Sequence, residues 1–275
     1  DDIDRLKAYS LSLGTHGKNH IDDVMLYALL LSVEAFKDRS DFISLVNMAV
    51  TAAKYHDCGR SDDGNSHHAI EGAIKSYHIH KNKRIYNKAE LAAIYTAIVC
   101  HDLKGIDESY ETYCAKLYPD VLMAIIKGKE PNVKVSYTED DLNRVVKVNN
   151  VNFNSLIDLT IRLCRIVRES DALDRTRFLK TTKSFTRESS LLPDSKRYMN
   201  LALRISELNA LGNIQELINT GMIDINEVID ILDNPRKYND FNISLDGPKE
   251  LSKIIRRVLL ERKSMMEKGT YYGSK

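Results

Sequence analysis

The stretch FISLVNMAVTAAKYHD, residues 42–57, decides the fold. Its apolar residues Leu45, Ala49, Ala52 and Ala53 recur at three- and four-residue spacing, the period of an α-helix, and the stripe runs directly into His56. A helix that ends its buried face on adjacent His and Asp turns a nitrogen donor and a hard oxygen donor inward together. That pair suits one divalent cation.

Three other segments repeat the arrangement. His20 begins the face that continues through Val24, Tyr27 and Leu31, and Ile94 and Ile98 share a face with His101. Further on, the stripe Leu156, Leu159, Leu163, Val167 continues by four residues onto Asp171. A buried carboxylate is costly unless its charge is compensated, and neutral imidazoles compensate it weakly. A bound metal ion would compensate all of these groups at once.

The helical period extends along the chain, and only five prolines and twelve glycines interrupt 275 residues, so the expected class is all-α. Helices are expected over residues 20–36, 40–57, 67–79, 87–102, 109–127, 139–149, 154–175, 195–220, 224–232 and 248–267. Capping chemistry marks several starts: Thr138 precedes Asp141 by three, Ser155 precedes Asp158 by three, and Asp246 and Gly247 lead into Pro248. Residues 132–137 are the only extended-looking piece, with an edge hairpin and a plain loop both open. The polar run 179–190, closed by Pro193, reads as a crossing loop, and 233–247 as a second linker.

Charges nearly cancel at +1 with 29% of residues charged, which gives no strong nucleic-acid or membrane signature. The longest strongly apolar run, 25–33, is far short of the roughly 20 residues a spanning helix needs, and no signal-peptide pattern opens the chain, so a soluble, cytoplasmic protein is expected. Cys58, Cys100, Cys114 and Cys164 share no close spacing and read as buried free thiols rather than disulfides. Arg162, Arg165 and Arg168 read as a solvated face paired with Asp158 and Glu169, His78 and His80 as surface residues, and Tyr27, Tyr55 and Tyr95 as core.

In chain order, His20, the pair His56 and Asp57, then His68, His101 and Asp171 stand within the strings HGKNH (16–20), HDCGRSDDGNSHHAIEGA (56–73) and SDALDRTR (170–177). This ordered set resembles the HD superfamily of metal-dependent phosphohydrolases and phosphodiesterases over residues 12–180. The resemblance implies an HD-domain helical bundle with a C-terminal helical extension, divided as 1–185 and 186–275. It implies that His20, His56, Asp57 and Asp171 hold one metal, that Asp57 bridges to a second, and that His68 and His101 supply the second site. His67 competes with His68, because Ala69 and Gly72 depart from the family's glycine and serine, and Asp23 stands where arginine is frequent.

The expected activity is hydrolysis of a phosphomonoester or phosphodiester in a nucleotide or nucleotide-derived signal, through metal-activated water attacking phosphorus. Asp57, His68 and Arg60 form the expected catalytic set, with Asp62 and Asp63 in a loop over the site. His16, Lys18, Arg175 and Arg177 are the candidate phosphate contacts, with Lys104 a further option, and Asp174 is left between a salt bridge to Arg177 and a substrate contact. Mixed His and Asp ligation favours Mn, Fe, Zn or Ni over Mg, as one or two ions. Two other readings stay open: a phosphodiesterase acting on a phosphate-linked protein modification, and a metal- or nucleotide-binding regulatory module without turnover, with the C-terminal helices mediating dimerisation or partner contacts.

Overall fold

The computed structural model describes residues 18–60, 67–103, 109–149 and 153–174, together with isolated positions after residue 197. Seven helices follow one another among them: α1 (Lys18–Phe36), α2 (Phe42–Tyr55), α3 (His68–His80), α4 (Lys88–Cys100), α5 (Tyr110–Ile126), α6 (Glu139–Asn149) and α7 (Phe153–Asp174). The protein is all-α, and the described residues contain no strand. The stretch 132–137 takes the loop alternative. Tyr198, Leu201, Ala202, Ile205, Asn226, Asp230, Leu260, Lys263, Ser264 and Glu267 are helical and fall inside the last three expected windows. None of the described helices is long and apolar enough to cross a membrane.

Capping fixes the helix boundaries. Thr138 and Asp141 exchange hydrogen bonds between side chain and backbone at 2.9 and 3.2 Å, the reciprocal arrangement their spacing foretold. Asn87 and Glu90 do the same at the start of α4, and the Ser109 hydroxyl accepts from the Thr112 amide at the start of α5. The cap expected at Ser155 does not form, because α7 already begins at Phe153 and Ser155 lies within its first turn. The signal at Asp246 to Pro248 and the expected loops 179–190 and 233–247 lie outside the described residues.

The chain divides into two compact units, Val24–Asp171 and the combination of Asp1–Asp23 with Ala172–Lys275. Within Val24–Asp171, α4 packs against α2, α3 and α5. Every residue of α4 from Leu91 to Ile98 is buried, which is the pattern of a helix surrounded on all sides. Ile98, Leu122, Met123, Leu163 and Ile166 are among the largest fully buried side chains of this unit, each contributing roughly 1.5–3 kcal/mol through removal from water. Tyr27 and Tyr95 join this core, whereas Tyr55 is only half-buried.

Two glycines set how closely α3 approaches the end of α2. A Cβ on Gly72 would stand 2.6 Å from the Tyr55 carbonyl oxygen, and one on Gly59 would stand 2.1 Å from the His68 carbonyl oxygen. Backbone meets backbone here, so only glycine fits. That contact brings His68, the first residue of α3, against the turn carrying His56 and Asp57.

Candidate metal centre

His56 follows the last residue of α2 with helical backbone angles, and the chain then tightens through three-residue turns from Cys58 to Tyr55 and from Arg60 to Asp57. Both side chains therefore continue the buried face of α2, and both are buried. His68 arrives from α3, His101 from the end of α4 and Asp171 from α7, all three also buried. His67, by contrast, is exposed.

The proton positions on two of the imidazoles are set by their neighbours. His56 Nδ1 lies 2.6 Å from the Ala53 carbonyl oxygen and His101 Nδ1 lies 2.6 Å from the Ile98 carbonyl oxygen. A carbonyl only accepts, so in each ring Nδ1 carries the hydrogen and donates it, and in the neutral ring Nε2 presents a lone pair. Those Nε2 atoms face carboxylates: His56 is 3.6 Å from Asp57 and 3.7 Å from Asp171, and His101 is 3.6 Å from Asp57. His68 Nε2 is buried, makes no hydrogen bond, and stands 3.4 Å from Asp57 Oδ1 and 3.7 Å from Asp102 Oδ2.

The 3.4–3.7 Å between an imidazole nitrogen and the carboxylate it faces lies beyond the length of a regular hydrogen bond. It is close to the spacing of two ligands on one ion, since donors at about 2.1 Å from a metal stand roughly 3.0–3.4 Å apart. One donor atom each from His56, Asp57 and His101 lies within 4.8 Å of the others, so this buried His and Asp group fits a metal ion. The rings pack edge to face, with His101 centred 4.9 Å from His56 and 5.4 Å from His68.

Electrostatics divide the histidines. Burial pushes the pKa of His56 and His68 below the ordinary imidazole value, and for His68 the Arg60 guanidinium adds to the effect. Burial also opposes charge on His101, but the Asp57 carboxylate beside it and the field of Asp171 outweigh that penalty and raise its pKa. Asp57 is gripped from the solvent side by Arg60, whose Nε is 2.7 Å from Oδ1 and whose side chain keeps 35% of its surface exposed. One partly wet cation thus sits at the rim of a buried anion.

His20 lies in the unit of Asp1–Asp23 and Ala172–Lys275, where its Nδ1 donates to Asp174 Oδ2 at 2.6 Å. Asp174 pairs with His20, and the Arg177 expected as its alternative partner lies outside the described residues. Asp102 is not among the residues expected from the sequence, although the second His-Asp dipeptide, at 101–102, is a signal for it, and its Oδ2 lies 3.7 Å from His68 Nε2. His80, expected at the surface, is buried and bonded to the Ser76 carbonyl, while His78 is exposed and pairs with Glu130 at 3.0 Å. Arg165 turns to Glu111 on α5, and Arg168 lies over the Tyr110 ring. Lys18 opens α1, whereas His16, Asp62, Asp63, Lys104, Arg175 and Arg177 lie outside the described residues. A cavity of about 630 Å³ lined by Arg39, Met48, Arg84, Tyr86, Leu122 and Leu159 includes none of the His and Asp donors.

No protein-family model, curated protein or solved structure matches this chain.

Proposed function

We propose that the protein is a metal-dependent hydrolase of phosphate ester bonds, with a nucleotide or nucleotide-derived signal as the favoured substrate class. The observation that carries this reading is the gathering of His56, His68 and His101 around Asp57, each Nε2 3.4–3.6 Å from a carboxylate oxygen and the lone pairs of His56 and His101 turned toward it, a spacing that a shared cation would fit. The mixed nitrogen and oxygen donor set favours Mn, Fe, Zn or Ni over Mg. The chemistry such an ion would supply is Lewis acidity, which would lower the pKa of a water toward neutrality and withdraw charge from phosphoryl oxygens.

The chain's own residues take the remaining tasks. His56, His68 and His101 offer Nε2, while Asp57 and Asp171 bring the negative charge that keeps a divalent ion in a buried site. Asp57 also stands where it orients a water or accepts its proton, and Arg60 holds it there. The exposed part of the Arg60 guanidinium offers a phosphate contact at the rim. In the other unit, the Asp174 carboxylate orients the His20 imidazole.

The test pairs elemental analysis of protein purified without chelator with hydrolysis of a p-nitrophenyl phosphodiester and a nucleotide panel, with and without Mn²⁺. One or two transition metals per chain and Mn-stimulated, chelator-sensitive release support the hydrolase. Metal bound in the same stoichiometry with no hydrolysis of any ester overturns it in favour of a binding module.

A further inference from the structure

Three cysteines that share no spacing in the sequence meet in the core of Val24–Asp171. Cys100 ends α4, Cys114 lies in the second turn of α5 and Cys164 lies midway along α7. Their sulfur atoms are all within 4.8 Å of one another, and all three residues are completely buried. The Tyr110 hydroxyl, one turn before Cys114, is buried, makes no regular hydrogen bond and lies against the same thiols. Arg168, one turn beyond Cys164, places its guanidinium 4.5 Å from the Tyr110 ring centre.

Three neutral thiols in a dry core satisfy one another poorly, since S–H is a weak donor and sulfur a weak acceptor. A disulfide would join two and strand the third. We infer that Cys100, Cys114 and Cys164 bind one soft divalent cation of the Zn(II) type, with the Tyr110 oxygen at a fourth position.

Metal to sulfur distances near 2.3 Å put sulfurs roughly 3.8–4.0 Å apart, so the trio needs to contract by less than about 1 Å. Three thiolates and a divalent ion leave one net negative charge, which Arg168 offsets; a monovalent ion would leave two. Hard ions such as Mg or Mn are excluded by the sulfur donors. The bound ion would tie α4, α5 and α7 together directly beneath His101, the residue after Cys100. It is independent of the hydrolase reading.

The experiment uses the full chain, stripped with chelator under reductant and titrated with Cd(II), whose thiolate complexes absorb in the ultraviolet by charge transfer, with Zn(II) added in competition. The expected result is a band that saturates at one equivalent and is displaced by Zn(II). It persists in Cys58→Ser and in the double variant His56→Ala, Asp57→Asn, which disables the other centre, and it drops by a third or more in Cys114→Ser and Cys164→Ser. No charge-transfer band in the wild-type chain overturns the inference whether or not the variants fold. So does a band that Cys58→Ser abolishes.

Discussion

His20 Nδ1 and Asp174 Oδ2 stand 2.6 Å apart at a sequence separation of 154, with both side chains fully buried. The carboxylate fixes the imidazole tautomer, and the imidazole N–H compensates a carboxylate removed from water. Breaking such a pair from one side takes a hydrogen bond away from a buried polar group, at about 1–3 kcal/mol. His20→Ala and Asp174→Ala should each lower stability by that amount, and the double variant should cost clearly less than the sum. Denaturant unfolding of the four proteins in the cycle measures it; strict additivity would mean the two groups do not interact.

Gly59 and Gly72 permit the backbone crossing that brings His68 to Asp57. Overpacking against adaptable side chains costs about 1–3 kcal/mol, and here the obstacle is backbone, so Gly72→Ala should reach or exceed the top of that range. Metal content should fall with it, because α3 must shift away from the His56 turn. A Gly72→Ala protein with wild-type unfolding midpoint and metal content would refute the account of this contact.

In the proposed centre a proton and a metal would compete for the Nε2 atoms, and the histidines would do so unequally. His56 and His68, with lowered pKa values, stay neutral and available through neutral pH, whereas His101 takes up its proton above the ordinary value of 6.5. Metal affinity should therefore begin to weaken at a higher pH than in an ordinary histidine site. Replacing Asp57 by Asn removes the principal group raising the His101 pKa and should move the onset to lower pH. Metal titrations across pH, followed by fluorescence or calorimetry, measure this; an onset unchanged by the substitution would contradict it.

Asn87 caps α4 through the Glu90 amide, well removed in sequence from the donors. Asn87→Ala should cost about 1 kcal/mol of stability and leave metal stoichiometry unchanged. Loss of metal in that variant would show that the centre depends on the whole of α4 rather than on its last turn.

The helices, and the ends on which the donors sit, were legible because period and burial are properties of one segment. The stripe Leu45, Ala49, Ala52, Ala53 pointed His56 inward, and Leu163, Val167 pointed Asp171 inward, with no knowledge of any partner. Partners across the chain were not legible. Spacing states the face a residue occupies but not what meets it, so Asp174 could not be matched to His20, nor Arg165 to Glu111 in place of Glu169. The same limit hid the meeting of Cys100, Cys114 and Cys164, which stand on three helices. His80 illustrates the reverse error, since a polar residue near the end of an amphipathic helix still packs inward when the Ser76 carbonyl satisfies its N–H. Asp102 carries a signal in the sequence as the second His-Asp pair, but spacing alone does not show that it meets His68.

The most direct test of the central claim is the rate of ester hydrolysis by Asp57→Asn at saturating Mn²⁺, on protein whose fold is verified by its melting transition. Asp57 is the carboxylate that His56, His68 and His101 all face, so the rate should fall by about 100-fold or more, the range in which a positioned acid or base works. A folded Asp57→Asn protein that hydrolyses the ester at the wild-type rate would contradict the account.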